Sequence, residues 1–549
     1  MGKNLFPGDF FKTIQEELLT PDFDLIIGNP PFDSKFTNWA LKVDNDESIN
    51  SQKRPKIPDN QIALLFLEQS LKFLREGGNC CLILPSGPML YNNKTHDFKR
   101  FLFENAYFKE ICDFTPLRAK LFKGSSSSAK PAVVAVTAEK RKPEGKPVYH
   151  VIFRRTRASS EKIEFEVDHY DIHPVAYQTA LDSPKVWQAN FMGGGRLHQL
   201  VERIASEPTL GDFLNEMEAN RGWKIAEGWI EAPNSKDLKR IEKILSFQSK
   251  TESEIKELNE LKNKYKADWI TGHPFVDTND FTEERFSSTP YCDKQYFYRS
   301  TKENKAIFEP PHILIKESVT GKKIPAHFSN DYLTFKHKII GIHASKQDFS
   351  DLEKLHEYIT QEYNVPLMWL LSGQVLTSRE GVPLKADILS LPYSSSLFEF
   401  NDIEKVLLDD ILNQYAEFRK EGEKSTILKA ATDKDLEAFG MYYCRILNSV
   451  YKNFKSLKPV LGKEFIVYPF VLGQNPEIEI PDSIEGIEST LKKLIDHKIG
   501  YNLWVKRILR FYQKNVILLY KPNQKRYWLK SVAIRDADET FMDLFNQGK

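Results

Sequence analysis

Hydrophobic and polar positions in residues 1–140 alternate between short apolar runs and longer helical patterns. The runs Phe23–Gly28 and Asn79–Leu84 have the length of strands that are buried on both faces of a parallel sheet. Between them, Gln61–Arg75 is mostly apolar and rich in helix formers, and Gly77-Gly78 marks its end. Further predicted elements are a helix and two strands, at Phe98–Tyr107, Phe108–Phe114 and Pro131–Thr137. This alternation predicts a doubly wound α/β sheet.

The pattern changes from about residue 187. A charged stretch at 235–264 predicts a helical hairpin, and 311–345 predicts a β-meander with a turn at Thr320-Gly321. The predicted fold class is therefore α/β: a partial doubly wound sheet, then an α+β region, then a mainly helical C-terminal region. The predicted domains are residues 1–150, 187–400 and 401–549, in keeping with about 100–200 residues per domain.

Bulk composition narrows the class of protein only slightly. The net charge is +1, so nucleic-acid binding needs local basic clusters rather than a global excess. The five cysteines lack metal-ligand spacing, and no disulfide framework is expected, which fits a reducing cytoplasm. No apolar run is long enough for a membrane helix, and the N-terminus has no signal-peptide pattern. Local basic clusters are present, and each fits either DNA contact or an ordinary solvated surface. Their residues are Lys316, Lys322, Lys323, Lys336 and Lys338, and later Lys521, Lys525, Arg526 and Lys530.

The segment Asn29-Pro30-Pro31-Phe32 directly follows the first predicted strand. An exocyclic aromatic amine is a poor nucleophile, because its lone pair is delocalised into the ring. The Asn29 side-chain carbonyl and the Pro30 main-chain carbonyl are two acceptors that can hold such an NH2 group, and prolines restrict the backbone that aims them. Phe32 can stack on a base that has left the duplex. The segment therefore indicates transfer of a methyl group to an amine; the alternative is a strand that ends in a proline-rich turn.

With these residues the chain resembles the gamma-class adenine-N6 DNA methyltransferases of restriction-modification systems that carry a C-terminal target-recognition region. The resemblance is strongest over residues 5–140, through Phe6–Phe11, Asn29–Phe32 and Gly77–Ser86. It implies S-adenosylmethionine as cofactor, double-stranded DNA as partner and adenine N6 as the methylated atom. It also implies that residues 187–400 form the target-recognition domain.

The resemblance also implies roles for residues outside the loop. Asp9 and Phe10 would lie near the adenine of the cofactor, although Asp9 also suits a helix N-cap. Phe122 would stack on the flipped base, although a core phenylalanine is an alternative. Ser125–Ser128 would contact phosphate or form a loop. No metal is expected in the site.

One departure from the family concerns the cofactor. The family's glycine-rich cofactor turn precedes the catalytic loop, and no such turn after a strand occurs before Asn29. Gly193–Gly195 comes far downstream, and no clear strand leads into it. The chain is therefore expected to be one half of a split enzyme with a partner subunit that supplies the motif, a truncated or frame-shifted product, or a protein from which the family's N-terminal region has been removed. The sheet is then expected to expose an apolar edge, and methyl transfer by the chain alone is expected to be negligible.

Other functions fit parts of the sequence. The same loop suits the amide of a protein glutamine or an adenine in RNA, and a DNA-recognition or scaffold subunit without catalysis is the main alternative. A nuclease is suggested only by the acidic cluster Asp536–Glu539, which fits better the N-terminus of a helix.

Overall fold

The computed structural model describes residues 8–51, 53–122, 131–158, 163–231, 236–298, 302–319, 321–373, 383, 385–393, 399–421 and 424–548. The start of the Phe6–Phe11 segment, the serine run Ser125–Ser128 and Thr320 lie outside these ranges. The chain forms two compact units. The first comprises residues 1–204, 376–378 and 400–549, and the second comprises 205–375 and 379–399. The three predicted domains assign roles to regions, and those roles remain predictions.

The N-terminal part of the first unit alternates helices and strands. In chain order these are α1 (Phe10–Gln15), β1 (Phe23–Gly28), α2 (Asn38–Asn50), α3 (Ile62–Phe73), β2 (Leu74–Pro85), α4 (His96–Asn105), β3 (Tyr107–Asp113), α5 (Arg118–Leu121), β4 (Val133–Glu139), β5 (Val148–Ile152), β6 (Arg155–Ala158), β7 (Ile163–Asp168), β8 (Ile172–Val175), α6 (Tyr177–Asp182), α7 (Val186–Phe191) and α8 (Leu197–Ala205).

A mixed six-stranded sheet organises this part, with strand order β1-β2-β4-β3-β5-β8. Strands β1, β2, β3 and β5 run in one direction, and β4 and β8 run in the other. The α/β fold class is confirmed, but the sheet is parallel only in part. The carboxyl ends of β1, β2, β3 and β5 share one edge, which is where α/β sheets place their ligands.

The predicted end of the helix at Gly77-Gly78 is wrong. Helix α3 already ends at Phe73, and β2 begins at Leu74. The pairing of β1 with β2 jumps from Phe23 opposite Leu74 to Leu25 opposite Asn79, so the two glycines lie in a bulge of β2. A side chain on Gly78 would place its Cβ 2.8 Å from the carbonyl oxygen of Phe23. The glycines are needed for this close approach of two strands rather than as a helix stop.

Strand β1 is an edge strand with exposed apolar side chains. Leu25 is 56% exposed and Ile27 is 71% exposed, and Phe23 on the same face is also exposed. Among the described residues, β1 pairs only with β2. The expected exposed apolar edge is therefore confirmed.

The second unit combines helices with short antiparallel strands. Its elements are α9 (Leu210–Arg221), β9 (Lys224–Glu227), β10 (Ile230–Glu231), α10 (Lys236–Leu245), α11 (Glu252–Tyr265), β11 (Phe275–Val276), β12 (Phe297–Tyr298), β13 (His312–Lys316), β14 (Ala326–Ser329), β15 (Thr334–Phe335), β16 (Ile339–His343), α12 (Phe349–Ile359), α13 (Asn364–Leu371) and α14 (Lys385–Leu389). The predicted helical hairpin is confirmed as α10 and α11. The predicted meander is antiparallel, but its order is β14-β13-β16-β9, with β13 and β16 as the two inner strands.

Residues 401–549 complete the first unit. Their elements are α15 (Asp402–Glu421), α16 (Asp433–Leu447), β17 (Phe454–Ser456), β18 (Val460–Leu461), β19 (Phe465–Leu472), α17 (Glu488–Ile495), β20 (Asp496–Ile499), β21 (Leu503–Lys506), β22 (Leu509–Gln513), β23 (Val516–Pro522) and α18 (Lys530–Asn546). The description "mainly helical" misses a five-stranded sheet of β17, β18, β19, β23 and β22. Strands β20 and β21 join β7 and β6 in a further sheet, with β21 parallel to β7. No helix in the described parts of the chain is both long and apolar enough to span a bilayer.

Candidate active site at the carboxyl edge of the sheet

The Asn29–Phe32 segment leaves the sheet at the carboxyl end of β1. Asn29 and Pro31 are exposed, Pro30 is buried, and Phe32 is half-buried. The residues that follow are tied to the start of α3, because Ile62 N donates to the Asp33 carbonyl at 3.4 Å and Gln61 Nε2 donates to Ser34 Oγ at 3.1 Å. The segment thus combines an anchored backbone with an Asn29 amide that is open to solvent.

Asp9 forms the N-cap of α1. Its carboxylate accepts hydrogen bonds from Phe11 N at 2.8 Å and Lys12 N at 3.4 Å. The ring of Phe10 stacks on Phe66, with centroids 4.7 Å apart. The structure therefore shows the capping alternative for Asp9, and contact of Asp9 and Phe10 with a cofactor remains a prediction.

Phe122 directly follows α5, which begins five residues after the carboxyl end of β3. It is half-buried, and its backbone N–H donates to the Arg118 carbonyl at 3.2 Å. Phe122 and Asn29 thus both follow strands that end at the same edge of the sheet. Stacking of Phe122 on a base remains a prediction.

A buried polar cluster at this edge was missed by the sequence. Asp113, the last residue of β3, is fully buried, accepts a hydrogen bond from the Tyr91 hydroxyl, and accepts another from Thr115 N at 2.8 Å. His150 Nε2 lies 3.6 Å from Asp113 Oδ2. The partners come from separate segments of the chain, so no local motif announces them. The cluster fixes the turn that follows β3, through which the chain reaches Phe122.

Two further buried polar side chains, Lys99 and Ser86, lie near this cluster. Lys99 of α4 donates its ammonium to the Leu90 carbonyl at 3.0 Å, next to Tyr91, and burial lowers the pKa of Lys99 to about 7. Ser86, the residue after β2, is also fully buried, and its Oγ has no hydrogen-bond partner in the part of the chain that the structure describes. These polar groups lie close to the carboxyl ends of β2 and β3.

The acidic cluster Asp536–Glu539 lies within α18, not at its N-terminus as expected. Asp536 is fully buried and pairs with the equally buried Lys521, while Asp538 pairs with Arg196 at 2.7 Å. Lys521 is therefore not available to DNA. Nowhere in the described ranges do three or more His, Cys, Asp or Glu side chains form a group that could hold a metal ion.

Comparisons with known proteins give one family match, in the N-terminal part, and several similar solved structures. A search of curated proteins finds no match. Three similar solved structures are the type IIG restriction endonuclease BpuSI (14% identity, 71% of this chain and 48% of that one, TM-score 0.27), the type IIL restriction-modification enzyme MmeI in complex with DNA (12%, 73% and 50%, 0.30) and a DrdV–DNA complex (10%, 82% and 48%, 0.34). This chain spans about half the length of each of them.

The family comparison covers the segment that holds the strand-end loop. The matched residues include the Asn29–Phe32 loop and Phe122, together with α1, β1, β2 and β3. Over these matched residues, the predicted resemblance to restriction-modification methylases is confirmed. Residues 3–122 of this chain match the Eco57I restriction-modification methylase family.

Proposed function

We propose that the chain is the base-holding part of a site-specific DNA methyltransferase that transfers a methyl group from S-adenosylmethionine to adenine N6 in a restriction-modification system. The observation that carries the proposal is the exposed Asn29 amide at the carboxyl end of β1, inside the segment that matches the methylase family.

The loop supplies what an adenine amine needs. The Asn29 side-chain carbonyl and the Pro30 carbonyl accept hydrogen bonds from the two N–H groups of the amine, and they favour a nitrogen whose lone pair points at the incoming methyl group. The anchored backbone around Asp33 and Ser34 keeps both acceptors in place, while Phe32 and Phe122 offer flat faces to the extruded base. A substitution in the loop that only tilts or shifts the bound amine is therefore expected to slow methyl transfer strongly.

The two residues that the resemblance assigns to the cofactor have other contacts in the described part of the chain. The Asp9 carboxylate is engaged in capping α1, and Phe10 packs on Phe66. The turn Gly193–Gly195 follows helix α7 rather than a strand, so it is not the strand-to-helix turn that binds nucleotide cofactors. We propose that the chain holds the base side of the reaction and that another segment supplies most of the site for the methyl donor.

The free edge of β1 is the proposed attachment point for that segment. A strand that pairs with β1 in parallel would bury Leu25 and Ile27 with the help of its following helix. It would also bring its own carboxyl end beside Asn29, which is where doubly wound sheets bind ligands. We propose that a partner subunit, or a further part of a longer chain, provides this strand and the glycine-rich turn.

Target recognition is assigned to residues 187–400. Exposed Lys322, Lys323 and Lys338 offer charges for phosphate contacts. Sequence readout would come from other side chains of the same region.

Expression in a host without adenine methylation, together with the neighbouring genes of the native locus, tests the proposal. N6-methyladenine at one DNA sequence is expected with the native chain. It is expected to fall at least 100-fold with Asn29→Ala, because an amine acceptor is lost. Asn93→Ala, a change at an exposed asparagine of the same unit, is the matched control. Full methylation with Asn29→Ala would instead indicate a recognition or scaffold subunit.

Two further measurements separate the remaining alternatives. Methyl incorporation into duplex DNA, RNA and protein by the purified complex is expected for DNA alone. Titration of S-adenosylmethionine into the purified chain is expected to show only weak binding, and tight binding without any partner would contradict the proposed attachment at β1.

A further inference from the structure

Three turns follow strands that end at the carboxyl edge of the six-stranded sheet. They begin at Asn29 after β1, at Ser86 after β2 and at Phe114 after β3, and the last of them leads through α5 to Phe122. The strand order β1-β2-β4-β3 places β1 and β3 three strand spacings apart, roughly 14 Å. The Asn29 loop and the turn toward Phe122 therefore lie on either side of the part of the edge that belongs to β2 and β4.

One buried carboxylate joins two of these turns. Tyr91, at the end of the turn after β2, donates its hydroxyl to Asp113 Oδ2. Asp113 Oδ1 accepts from Thr115 N at 2.8 Å, in the turn after β3. All three residues are at most 2% exposed. The connection crosses β4 and spans two of the three strand spacings, about 10 Å, so it fixes the turn after β2 relative to the turn after β3.

The backbone reinforces this connection where β4 begins. Ser86 N donates to the Ala132 carbonyl at 2.9 Å, and Phe114 N donates to the Val133 carbonyl at 3.0 Å. The first residues of the two turns are thus bound to consecutive residues of the strand that lies between them. The turn after β2 and the turn after β3 therefore form one connected unit.

Tyr91 is also held by groups other than Asp113. Lys99 of α4 donates its buried ammonium to the carbonyl of the preceding residue, Leu90, at 3.0 Å. The Tyr91 ring packs edge-on against Phe191 of α7, with centroids 5.6 Å apart. Backbone and ring thus have fixed neighbours, and the hydroxyl is directed at Asp113.

A buried carboxylate is not the most stable means of joining two turns. An apolar contact of similar size often gives a more stable fold than a buried charge does, even when the charge is well paired. A buried polar network instead favours one geometry, because its hydrogen bonds are satisfied in one arrangement of the partners. Asp113 lies at the end of β3 from which the chain continues to Phe122. A fixed geometry is useful at this place if a base must fit beside that residue.

We propose that Tyr91 and Asp113 are positioning residues for the extruded adenine, an inference that rests on the proposed function. Strand β1, which carries the Asn29 loop, pairs with β2. The Tyr91–Asp113 hydrogen bond therefore sets the distance between this loop and Phe122, without either residue touching the base. The distance decides whether one base can be held by the Asn29 carbonyl and stacked on the Phe122 ring at the same time.

Kinetics of the Tyr91→Phe variant in the purified methyltransferase complex test this role, since the change removes the hydroxyl and keeps the ring. We expect kcat to fall about 10-fold to 100-fold, because a slightly misplaced amine reacts slowly. KM for DNA is expected to change less than about twofold, because other residues bind the DNA. Tyr107→Phe is the matched control. Tyr107 is a buried residue at the other end of β3, its hydroxyl donates to the Pro147 carbonyl at 3.3 Å, and its variant is expected to keep the native kcat.

Two further measurements distinguish positioning from a general loss of stability. Asp113→Asn keeps an acceptor for Thr115 N and can donate its amide to the Tyr91 hydroxyl, so it is expected to retain more of kcat than Asp113→Ala. The base analogue 2-aminopurine, placed at the target adenine, reports the extruded base by its fluorescence anisotropy decay. An immobile base is expected with the native chain, and a base that moves within the site is expected with Tyr91→Phe.

The possible outcomes separate this inference from the proposed function. Native kcat and an immobile base with folded Tyr91→Phe would overturn the positioning role. Equal losses of kcat in Tyr91→Phe and Tyr107→Phe would also overturn it, because lower stability would then explain both. Absence of methyl transfer by the native complex would instead contradict the proposed function itself.

Discussion

Strands β1 and β23 have similar sequences and opposite environments. The first reads Phe-Asp-Leu-Ile-Ile-Gly, and the second reads Val-Ile-Leu-Leu-Tyr-Lys-Pro. Leu25 and Ile27 of β1 are largely exposed, whereas every residue of β23 is buried, including Lys521. Strand β23 lies between β19 and β22, and β1 has β2 alone as its described neighbour. An apolar run shows that a strand needs burial, but it does not show which segment provides it.

Breaking the buried ion pair between Lys521 of β23 and Asp536 of α18 is expected to give the largest loss of stability. Asp536→Ala leaves the Lys521 ammonium buried without its carboxylate, which typically costs about 3–5 kcal/mol of unfolding free energy. Asp402→Ala is the matched control, because its pair with Arg445 is exposed, and a loss below about 1 kcal/mol is expected. Urea unfolding measures both. Equal losses in the two variants would show that burial does not distinguish these pairs.

A pair of leucine truncations tests the two strands directly. Leu519→Ala in β23 opens a cavity in a packed core and is expected to cost about 2–5 kcal/mol. Leu25→Ala in β1 removes an exposed side chain and is expected to change stability by less than about 0.5 kcal/mol. Urea unfolding of the two variants against the native chain is the measurement, and a large loss from Leu25→Ala would mean that β1 is covered in solution.

A buried and an exposed histidine are expected to differ in how they affect stability at acidic pH. Burial lowers the pKa of His312, the first residue of β13, to about 4, against about 6.5 in the unfolded chain. The stability that the neutral ring contributes is present above pH 6.5 and is lost as pH falls toward 4, by up to about 3 kcal/mol. His312→Asn is expected to flatten unfolding free energy against pH over this window. His497→Asn, at an exposed histidine of β20, is the matched control, and a curve in His312→Asn as steep as that of the native chain would refute the assignment.

Charging the free edge is expected to give the smallest change in stability. The double change Leu25→Lys and Ile27→Lys is expected to alter the unfolding free energy by less than about 0.5 kcal/mol, since both side chains already face solvent. It is expected to reduce self-association of the purified chain, because lysines discourage edge-to-edge pairing of strands. Sedimentation velocity over a range of concentrations measures this. Unchanged association would argue that the chain associates through another surface.

The sequence indicated the parts of the site that depend on neighbours along the chain. Asn29–Phe32 follows β1 as the local pattern predicted, and the predicted exposed apolar edge is present at β1. The residues that depend on distant partners were misread. Asp536 and Glu539 seemed to be helix-start acids, but their partners Lys521 and Arg510 lie on the β22–β23 hairpin. Asp113 gave no signal, because Tyr91 and His150 come from separate elements.

Glycines were misread for a similar reason. Gly77-Gly78 looks like a helix stop when only local preferences are considered. Its actual role depends on the Phe23 carbonyl, about fifty positions away, against which no side chain fits. Local propensity predicts that an element changes near these residues, and only the paired strand determines where.

The parallel pairing of β21 with β7 joins two segments that are synthesised at very different times. Near this pairing, Arg157 donates to Asp496 at 3.2 Å across 339 positions of the chain. During translation, β7 and β6 leave the ribosome long before β21 exists, and the second unit is made in the interval. The first unit can finish folding only when almost the whole chain has emerged, so a slow folding phase and sensitivity to premature termination are expected. A nascent chain that stops near residue 480 would retain the Asn29 loop but leave β7 with an open edge.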